Sequence, residues 1–196
     1  MRMMRHLPNI LTSLRFPITA LFVYGWLQTE TSWHLIATGA FLVGMITDML
    51  DGILARRMGT VSDVGSFLDP LADKVMVISG FYAILATPGF EWGVWKMWVG
   101  VALGLIVLRE LGITVLRSLK AHASKPLATS SLGKLKTIVQ MVTLIVAFLG
   151  LNVREMMGLE LPWFEHVIGA GVMASAVIAT ISGTIYLQKA KETSAA

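Results

Sequence analysis

Apolar and polar positions divide the chain into six long apolar stretches separated by short polar breaks. The stretches cover approximately residues 8–28, 33–57, 68–87, 93–119, 133–151 and 163–187. Each is close to the ~20 residues that an α-helix needs to cross a bilayer. The breaks are rich in Gly, Pro, Ser, Thr and Asn, which are typical of loops. Because lipid offers no partner for a strand edge, we predict an all-α integral membrane protein with six transmembrane helices.

The composition supports this class. Of the 196 residues, 55% are hydrophobic and only 14% are charged, and the mean hydropathy is +0.71. Soluble domains usually contain about 25% charged residues, so an ordinary soluble globule and a disordered chain are both disfavoured. The chain has no Cys, which excludes disulfides and thiolate catalysis. We predict one membrane-embedded domain over residues 1–196, in which a short interfacial segment, 1–7, leads into a retained first helix.

The distribution of Lys and Arg predicts the orientation. If six helices alternate in direction, every Lys and Arg except Lys96 and Arg154 falls on the side that holds both termini. Basic residues accumulate on the cytoplasmic side of membrane proteins, so both termini should be cytoplasmic in a multi-pass protein of the cell (inner) membrane. The net charge of +4 therefore indicates cytoplasmic helix ends, and we predict no nucleic-acid partner.

Four aspartates stand out because ionisable groups at membrane depth are costly and usually functional. Asp48 and Asp51 are three residues apart near the end of the second stretch, and Asp69 and Asp73 are four apart at the start of the third. Each spacing places both carboxylates on one helix face. Because a short connection joins the two helices, we expect antiparallel neighbours whose carboxylates converge on a cavity open to the cytoplasm.

Four clustered carboxylates would repel one another unless a cation neutralised them. Oxygen ligands without His or Cys favour Mg²⁺, Mn²⁺ or Ca²⁺, and a pair of such ions about 4 Å apart commonly assists displacement at phosphorus. The alternative is that the aspartates cap helices or form salt bridges with Arg56, Arg57 and Lys74.

Small and basic residues beside the aspartates indicate a ligand that lies close to the backbone. Gly52 follows Asp51 within a predicted helix, where Gly costs about 1 kcal/mol relative to Ala. Ala55 is also small, and Arg56, one turn beyond Gly52, can bind an anionic group bidentately. Together with carboxylates for metal ions, these residues suggest a nucleotide diphosphate.

The pattern Asp48-x-x-Asp51-Gly52-x-x-Ala55-Arg56, eight residues, Gly65-x-x-x-Asp69-x-x-x-Asp73 resembles the complete signature of the CDP-alcohol phosphotransferases. This resemblance implies a six-helix membrane enzyme, usually a homodimer, that uses a pair of divalent ions, Mg²⁺ or Mn²⁺. Such enzymes displace CMP from a CDP-linked lipid with an alcohol. The segment Leu7–Arg15 is similar to the N-terminal segment of the family, which is expected near the nucleotide. The segment Ser131–Thr137, with Arg109, Glu110, Arg117 and Gln140, resembles the phosphatidylglycerophosphate synthase branch.

The resemblance also implies individual roles, with CDP-diacylglycerol as the lipid substrate. The residues expected to contact it are Asn9, Thr12, Gly52, Ala55, Arg56 and Ser62. The metal ligands would be Asp48, Asp51, Asp69 and Asp73. Asp73 is also our candidate for the catalytic base that accepts the proton of the acceptor hydroxyl, and the alternative for it is a purely metal-binding role.

Three cations are candidates for binding an acceptor phosphate, as in glycerol 3-phosphate. Arg109, Arg117 and Lys134 lie at the predicted cytoplasmic ends of the fourth and fifth helices. Arg109 and Arg117 are about two turns apart and can share a face. The simpler interpretation is ordinary positive charge at cytoplasmic helix ends, although Arg109 lies within an apolar run and needs a partner, which Glu110 can supply in part.

Other functions remain open at this level. The same chemistry could use inositol phosphate, serine or a phosphatidylglycerol hydroxyl as acceptor, and the basic residues favour a phosphorylated one. A transporter of divalent cations or protons would need polar groups along a whole path, which the first, fifth and sixth stretches scarcely offer. A purely structural membrane protein would leave the aspartates unexplained.

Overall fold

The computed structural model describes residues 7–58, 63–88, 91–121 and 131–195, with side chains at 13–48, 71–88, 91–116 and 132–188. These residues form six α-helices and contain no strand. The helices are α1 (Leu7–Trp26), α2 (Thr31–Met58), α3 (Asp63–Leu85), α4 (Trp95–Ala121), α5 (Ser131–Met157) and α6 (Phe164–Ala195). Each predicted apolar stretch coincides with one helix, so the all-α prediction is confirmed.

The helix boundaries differ from the predicted ones where helices have polar ends. Helix α3 begins at Asp63, five residues before its apolar stretch, and α6 continues to Ala195, past its stretch. Apolar runs mark only the part of a helix that is buried or in lipid, whereas backbone hydrogen bonding continues through polar turns.

The chain divides into two compact units. The first comprises Met1–Phe90 and Phe148–Leu159, and the second comprises Glu91–Ala147 and Glu160–Ala196. Helix α5 therefore begins in the second unit and ends in the first. The prediction of one domain over residues 1–196 stays a prediction.

In the first unit, α1 packs against both α2 and α3, while direct contact between α2 and α3 is slight among the described residues. An aromatic cluster fills the core, with ring centroids of Phe22, Trp26 and Phe41 at 5.1, 4.5 and 5.0 Å from that of Phe148. Aromatic pairs at such distances contribute beyond their burial alone. The antiparallel pairing of α2 with α3 near their connection stays a prediction, since few of the described contacts join these two helices.

In the second unit, α4 packs against α6. A Cβ atom at Gly169 would lie 2.6 Å from Cδ2 of Trp95. Only glycine therefore allows the indole to lie against α6 at this point. The same indole donates a hydrogen bond from Nε1 to Nδ1 of His166 at 2.6 Å.

Within the described part of the chain, three helices are long and apolar enough to cross a membrane: Trp95–Leu116, Leu132–Met157 and Phe164–Gln188. These helices identify a membrane protein. Helix α2 carries Asp48, Asp51 and Arg56 within its length, and these charges lower its hydropathy. Six spans with cytoplasmic termini stay a prediction.

Candidate active site

The predicted nucleotide and metal residues are distributed over three helices of the first unit. Helix α1 carries Asn9 and Thr12, α2 carries Asp48, Asp51, Gly52, Ala55 and Arg56, and α3 carries Asp69 and Asp73. Of these side chains, only those of Asp48 and Asp73 lie within the described part. Those of Asn9, Thr12, Asp51, Ala55, Arg56 and Asp69 lie outside it, and Ser62 lies outside the described residues altogether.

Asp48 forms an ion pair with an arginine on another helix. Nη1 of Arg15, on α1, donates to Oδ1 of Asp48 at 2.5 Å. The Arg15 side chain is 1% exposed, whereas that of Asp48 is 39% exposed. A buried guanidinium needs an anionic partner, and this contact also fixes one carboxylate oxygen of Asp48. At 39% exposure, part of the Asp48 side chain is accessible from solvent.

Asp73 has a weaker contact. Nζ of its neighbour Lys74 lies 3.5 Å from Oδ2, at the outer limit for a hydrogen bond. The Asp73 side chain is 34% exposed, so water screens this pair. The Lys74 contact is one that the salt-bridge alternative predicts, and a role of Asp73 as base or metal ligand stays a prediction.

The donor chemistry fits the divalent ions that the sequence predicts. Asp48 and Asp73 supply hard carboxylate oxygens that solvent can reach, and Asp51 and Asp69 add two more carboxylates by sequence. Hard oxygen donors of this kind suit Mg²⁺ or Mn²⁺. Where side chains are described, no three His, Asp or Glu gather around one point. Asp51 and Asp69 lie outside that part, so convergence of the four aspartates stays a prediction.

Arg109, in the second unit, is held by groups from two helices. Its Nη1 lies 3.3 Å from both carboxylate oxygens of Glu110, on α4. Its Nη2 donates to Oγ of Ser182, on α6, at 2.6 Å. Lys136, on α5, donates from Nζ to Oε1 of Glu110. The partner that the sequence required for Arg109 is thus present.

The three predicted acceptor cations are not all placed by the structure. Lys134 is exposed on α5, and the described contacts of Arg109 do not include it. The side chain of Arg117 lies outside the described part, so convergence of Arg109, Arg117 and Lys134 on one phosphate stays a prediction.

A groove between α4 and α6 lies next to Arg109. Its volume is about 810 Å³, and its lining is apolar apart from Arg109 and two threonines, Thr180 and Thr184. This lining suits a lipid acyl chain better than a polar acceptor. The groove therefore does not bear on the choice of acceptor.

Sequence reasoning missed three residues that contact predicted site residues. The sequence does not connect Arg15 with Asp48. It presents Lys136 only as cytoplasmic charge and as part of a motif, and it assigns no role to Ser182. An arginine within the apolar first helix was the available signal for Arg15, because such a charge requires a partner. Nothing in the sequence signals Ser182.

A family model described as CDP-alcohol phosphatidyltransferase matches residues 5–182. A probable phosphatidylglycerophosphate synthase of Mycobacterium tuberculosis is 36% identical over 190 residues, covering 94% of this chain and 81% of the relative. The CDP-diacylglycerol–glycerol-3-phosphate 3-phosphatidyltransferase of Escherichia coli K12 is 31% identical over 188 residues, covering 95% of each chain.

The fold of this chain is similar to that of two solved crystal structures. The apo crystal structure of phosphatidylinositol phosphate synthase from Mycobacterium tuberculosis aligns with a TM-score of 0.59, covering 96% of this chain and 94% of that one. The CDP-DAG-bound structure aligns with a TM-score of 0.57, covering 92% and 84%. At 18% identity these two structures support the fold alone. The family match extends over both units, and the chain belongs to the CDP-alcohol phosphatidyltransferase family of enzymes.

Proposed function

We propose that this enzyme transfers the phosphatidyl group of CDP-diacylglycerol to glycerol 3-phosphate, giving phosphatidylglycerophosphate and CMP. One observation carries the proposal: relatives that are 31–36% identical over nearly the whole chain are named for this product or reaction. The membrane-spanning helices fit a substrate whose acyl chains remain in the bilayer.

For the acceptor substrate there is a second candidate besides glycerol 3-phosphate. The structural neighbours are phosphatidylinositol phosphate synthases, so inositol phosphate is the second candidate. Both acceptors present a phosphate monoester, which a cation such as Arg109 would bind. The sequence relatives favour glycerol 3-phosphate because their identity to this chain is nearly twice that of the structural neighbours.

The first unit would bind the nucleotide. We assign the metal ligands to Asp48, Asp51 and Asp69, with Asp73 as a further ligand or the general base. Gly52, Ala55 and Arg56 would contact the nucleotide and its diphosphate, with Asn9, Thr12 and Ser62 as additional contacts. Arg15 holds one oxygen of Asp48, so it would orient this carboxylate.

The reaction is a displacement at phosphorus. The acceptor oxygen attacks the phosphorus that bears the diacylglycerol, its bond to that phosphorus forms, and the bond to the CMP oxygen breaks. A pair of divalent ions held by these aspartates would supply positive charge that stabilises the diphosphate and the leaving CMP. Asp73 would accept the hydroxyl proton, and its solvent-exposed carboxylate supports this role.

The second unit would bind the acceptor phosphate through Arg109, Arg117 and Lys134. Charge-assisted contacts from guanidinium and ammonium groups suit a phosphate dianion. Glu110 and Ser182 restrain Arg109, which limits the entropy lost when the phosphate binds.

We also propose six spans, cytoplasmic termini, a place in the cell inner membrane and a homodimer. The distribution of Lys and Arg supports the orientation. Topology reporters fused at Glu91 and Ala123 should read extracytoplasmic and cytoplasmic, respectively. The opposite pattern would contradict the proposed orientation. The dimer is tested separately by light scattering of the purified protein, and the mass of a monomer would contradict it.

The function is tested by CMP release from CDP-diacylglycerol by the purified enzyme in lipid nanodiscs with Mg²⁺. The acceptors to compare are glycerol 3-phosphate, inositol phosphate, serine and phosphatidylglycerol. We expect the highest kcat/KM with glycerol 3-phosphate. Faster release with inositol phosphate would favour the second candidate, and no release with any acceptor would contradict the enzymatic assignment.

A further inference from the structure

Four polar side chains form a cluster within the second unit. Arg109 and Glu110 lie on α4, Lys136 on α5 and Ser182 on α6; we call them the Glu110 cluster. The side chains of Glu110 and Lys136 are only 2% and 8% exposed. All four residues lie within the helix segments that are long and apolar enough to cross a membrane. Ionised groups in this setting are costly, so their arrangement requires an explanation.

Among the described side chains, two cations contact Glu110, and they do so unequally. Lys136 donates directly to Oε1, whereas Nη1 of Arg109 lies 3.3 Å from each oxygen, beyond the usual range for N–H···O bonds. Lys136 is therefore the main counterion of Glu110. Arg109, Glu110 and Lys136 together carry a charge of +1, so the described contacts leave positive charge on Arg109 that an anion can bind.

The guanidinium of Arg109 is also fixed in direction. Nη2 donates to Oγ of Ser182 at 2.6 Å, and a Cβ atom at Gly183 would lie 3.1 Å from Cγ of Arg109. Nε is buried and has no hydrogen-bond partner in the described part of the chain. A guanidinium has five N–H donors, so Arg109 is restrained at two donors and retains others for a ligand.

We infer that Lys136 and Glu110 are positioning residues for a phosphorylated acceptor. Lys136 neutralises Glu110, and Glu110 then orients Arg109 without cancelling the positive charge that binds the acceptor phosphate. This inference rests on the proposed function, in which Arg109 contacts that phosphate. Without the Lys136 charge, Glu110 pairs closely with Arg109, and the phosphate must compete with this carboxylate.

The test is the kinetic behaviour of Lys136→Met with both substrates varied. We expect its KM for glycerol 3-phosphate to rise about ten- to a hundredfold, the effect of losing one charge-assisted contact. The KM for CDP-diacylglycerol should change less than about twofold, because other residues bind that substrate. Lys96→Met is the matched control, since it removes an exposed lysine from α4 and should leave both KM values unchanged.

The double variant Lys136→Met with Glu110→Gln separates positioning from support of the fold. The glutamine keeps an oxygen that can accept from Arg109 and orient it, but it has no charge that competes with the phosphate. The KM for glycerol 3-phosphate should therefore return to within about threefold of wild type. A purely structural role predicts no such recovery. Lys136→Arg should also restore the wild-type KM, because it keeps the charge.

If Lys136→Met does not fold, Lys136→Gln carries the same expectation, since it keeps a donor for Glu110 but no charge. An unchanged acceptor KM in Lys136→Met or Lys136→Gln, or a double variant as impaired as the single one, would overturn the inference while wild-type turnover stands. No turnover of glycerol 3-phosphate by the wild-type enzyme would instead overturn the proposed function, and this inference with it.

Discussion

The Arg15–Asp48 pair of the first unit and the Glu110 cluster of the second both place ions on apolar helices, but they differ in access to water. Asp48 is 39% exposed although its arginine is buried. Glu110 is 2% exposed, and its lysine partner is buried with it. Water can reach the carboxylate in the first case and scarcely reaches it in the second.

This difference indicates two uses of a carboxylate. A partly exposed carboxylate that one arginine orients can exchange solvent for a cation at low cost, as a metal ligand must. A carboxylate buried between two cations cannot exchange its partners without leaving charges uncompensated. Asp48 therefore fits a ligand-binding role, and Glu110 fits a role in orienting other groups.

The largest expected effect is on catalysis by the exposed carboxylate. Asp48→Asn should lower kcat by about 10²–10³-fold, because it removes a charge that the divalent ions require. CMP release at saturating substrates measures this loss, and Glu91→Gln, an exposed change outside the proposed site, is the control. Near-normal turnover by Asp48→Asn, or wild-type turnover with no divalent ion, would contradict the metal assignment.

For the free energy of unfolding, we expect a larger loss in Glu110→Gln than in Asp48→Asn, the reverse of their order in the effect on kcat. Glu110→Gln should lower the free energy of unfolding by about 3–5 kcal/mol, because two cations lose a buried counterion. Asp48→Asn should lower it by less, about 1–3 kcal/mol, because the buried Arg15 loses an anionic partner but can still donate to the amide oxygen. Denaturant unfolding in detergent measures both, and equal losses would remove the distinction between the two regions.

A smaller effect is expected at the remaining cations of the acceptor site. Arg117→Ala should raise the KM for glycerol 3-phosphate about ten- to a hundredfold, equivalent to a contact of about 1.5–3 kcal/mol. The KM for CDP-diacylglycerol should change much less, and steady-state kinetics with each substrate varied tests this. If Arg117→Ala and Lys134→Ala both leave the acceptor kinetics unchanged, these residues are only cytoplasmic charge.

The smallest effect concerns the packing that orients Arg109. Gly183→Ala would place a Cβ atom 3.1 Å from Cγ of Arg109, so the arginine must shift by a few tenths of an ångström. We expect a rise of about two- to fivefold in the KM for glycerol 3-phosphate. At Gly104 a Cβ atom would meet nothing within 4 Å, so Gly104→Ala is the control, and equal kinetics of the two variants would argue against precise positioning.

The sequence predicted the helices better than their partners. Apolar runs revealed all six helices. A helix that lies in lipid or in a helical core needs apolar side chains along its length, and these residues follow one another in the sequence. The polar start of α3 at Asp63 lacked that signal. Asp48 and Asp73 were identified as site candidates because charge is rare in such helices, and both carboxylates are accessible.

Ion pairs between different helices could not be predicted from the sequence. Asp48 is 33 residues from Arg15, and Glu110 is 26 residues from Lys136. Periodicity relates residues within one helix but does not specify which face of another helix it meets. Lys134 and Lys136 accordingly looked alike as cytoplasmic charges, although the structure leaves the first exposed and buries the second.

The identity of the acceptor is tested by following it into the lipid product. The wild-type enzyme in nanodiscs would receive CDP-diacylglycerol, Mg²⁺ and an equimolar mixture of ¹³C-labelled glycerol 3-phosphate and unlabelled inositol phosphate, with lipid products identified by mass spectrometry. We expect the label to enter the lipid as phosphatidylglycerophosphate, with one CMP released per labelled lipid. Label that stays in the aqueous phase while phosphatidylinositol phosphate accumulates would contradict it.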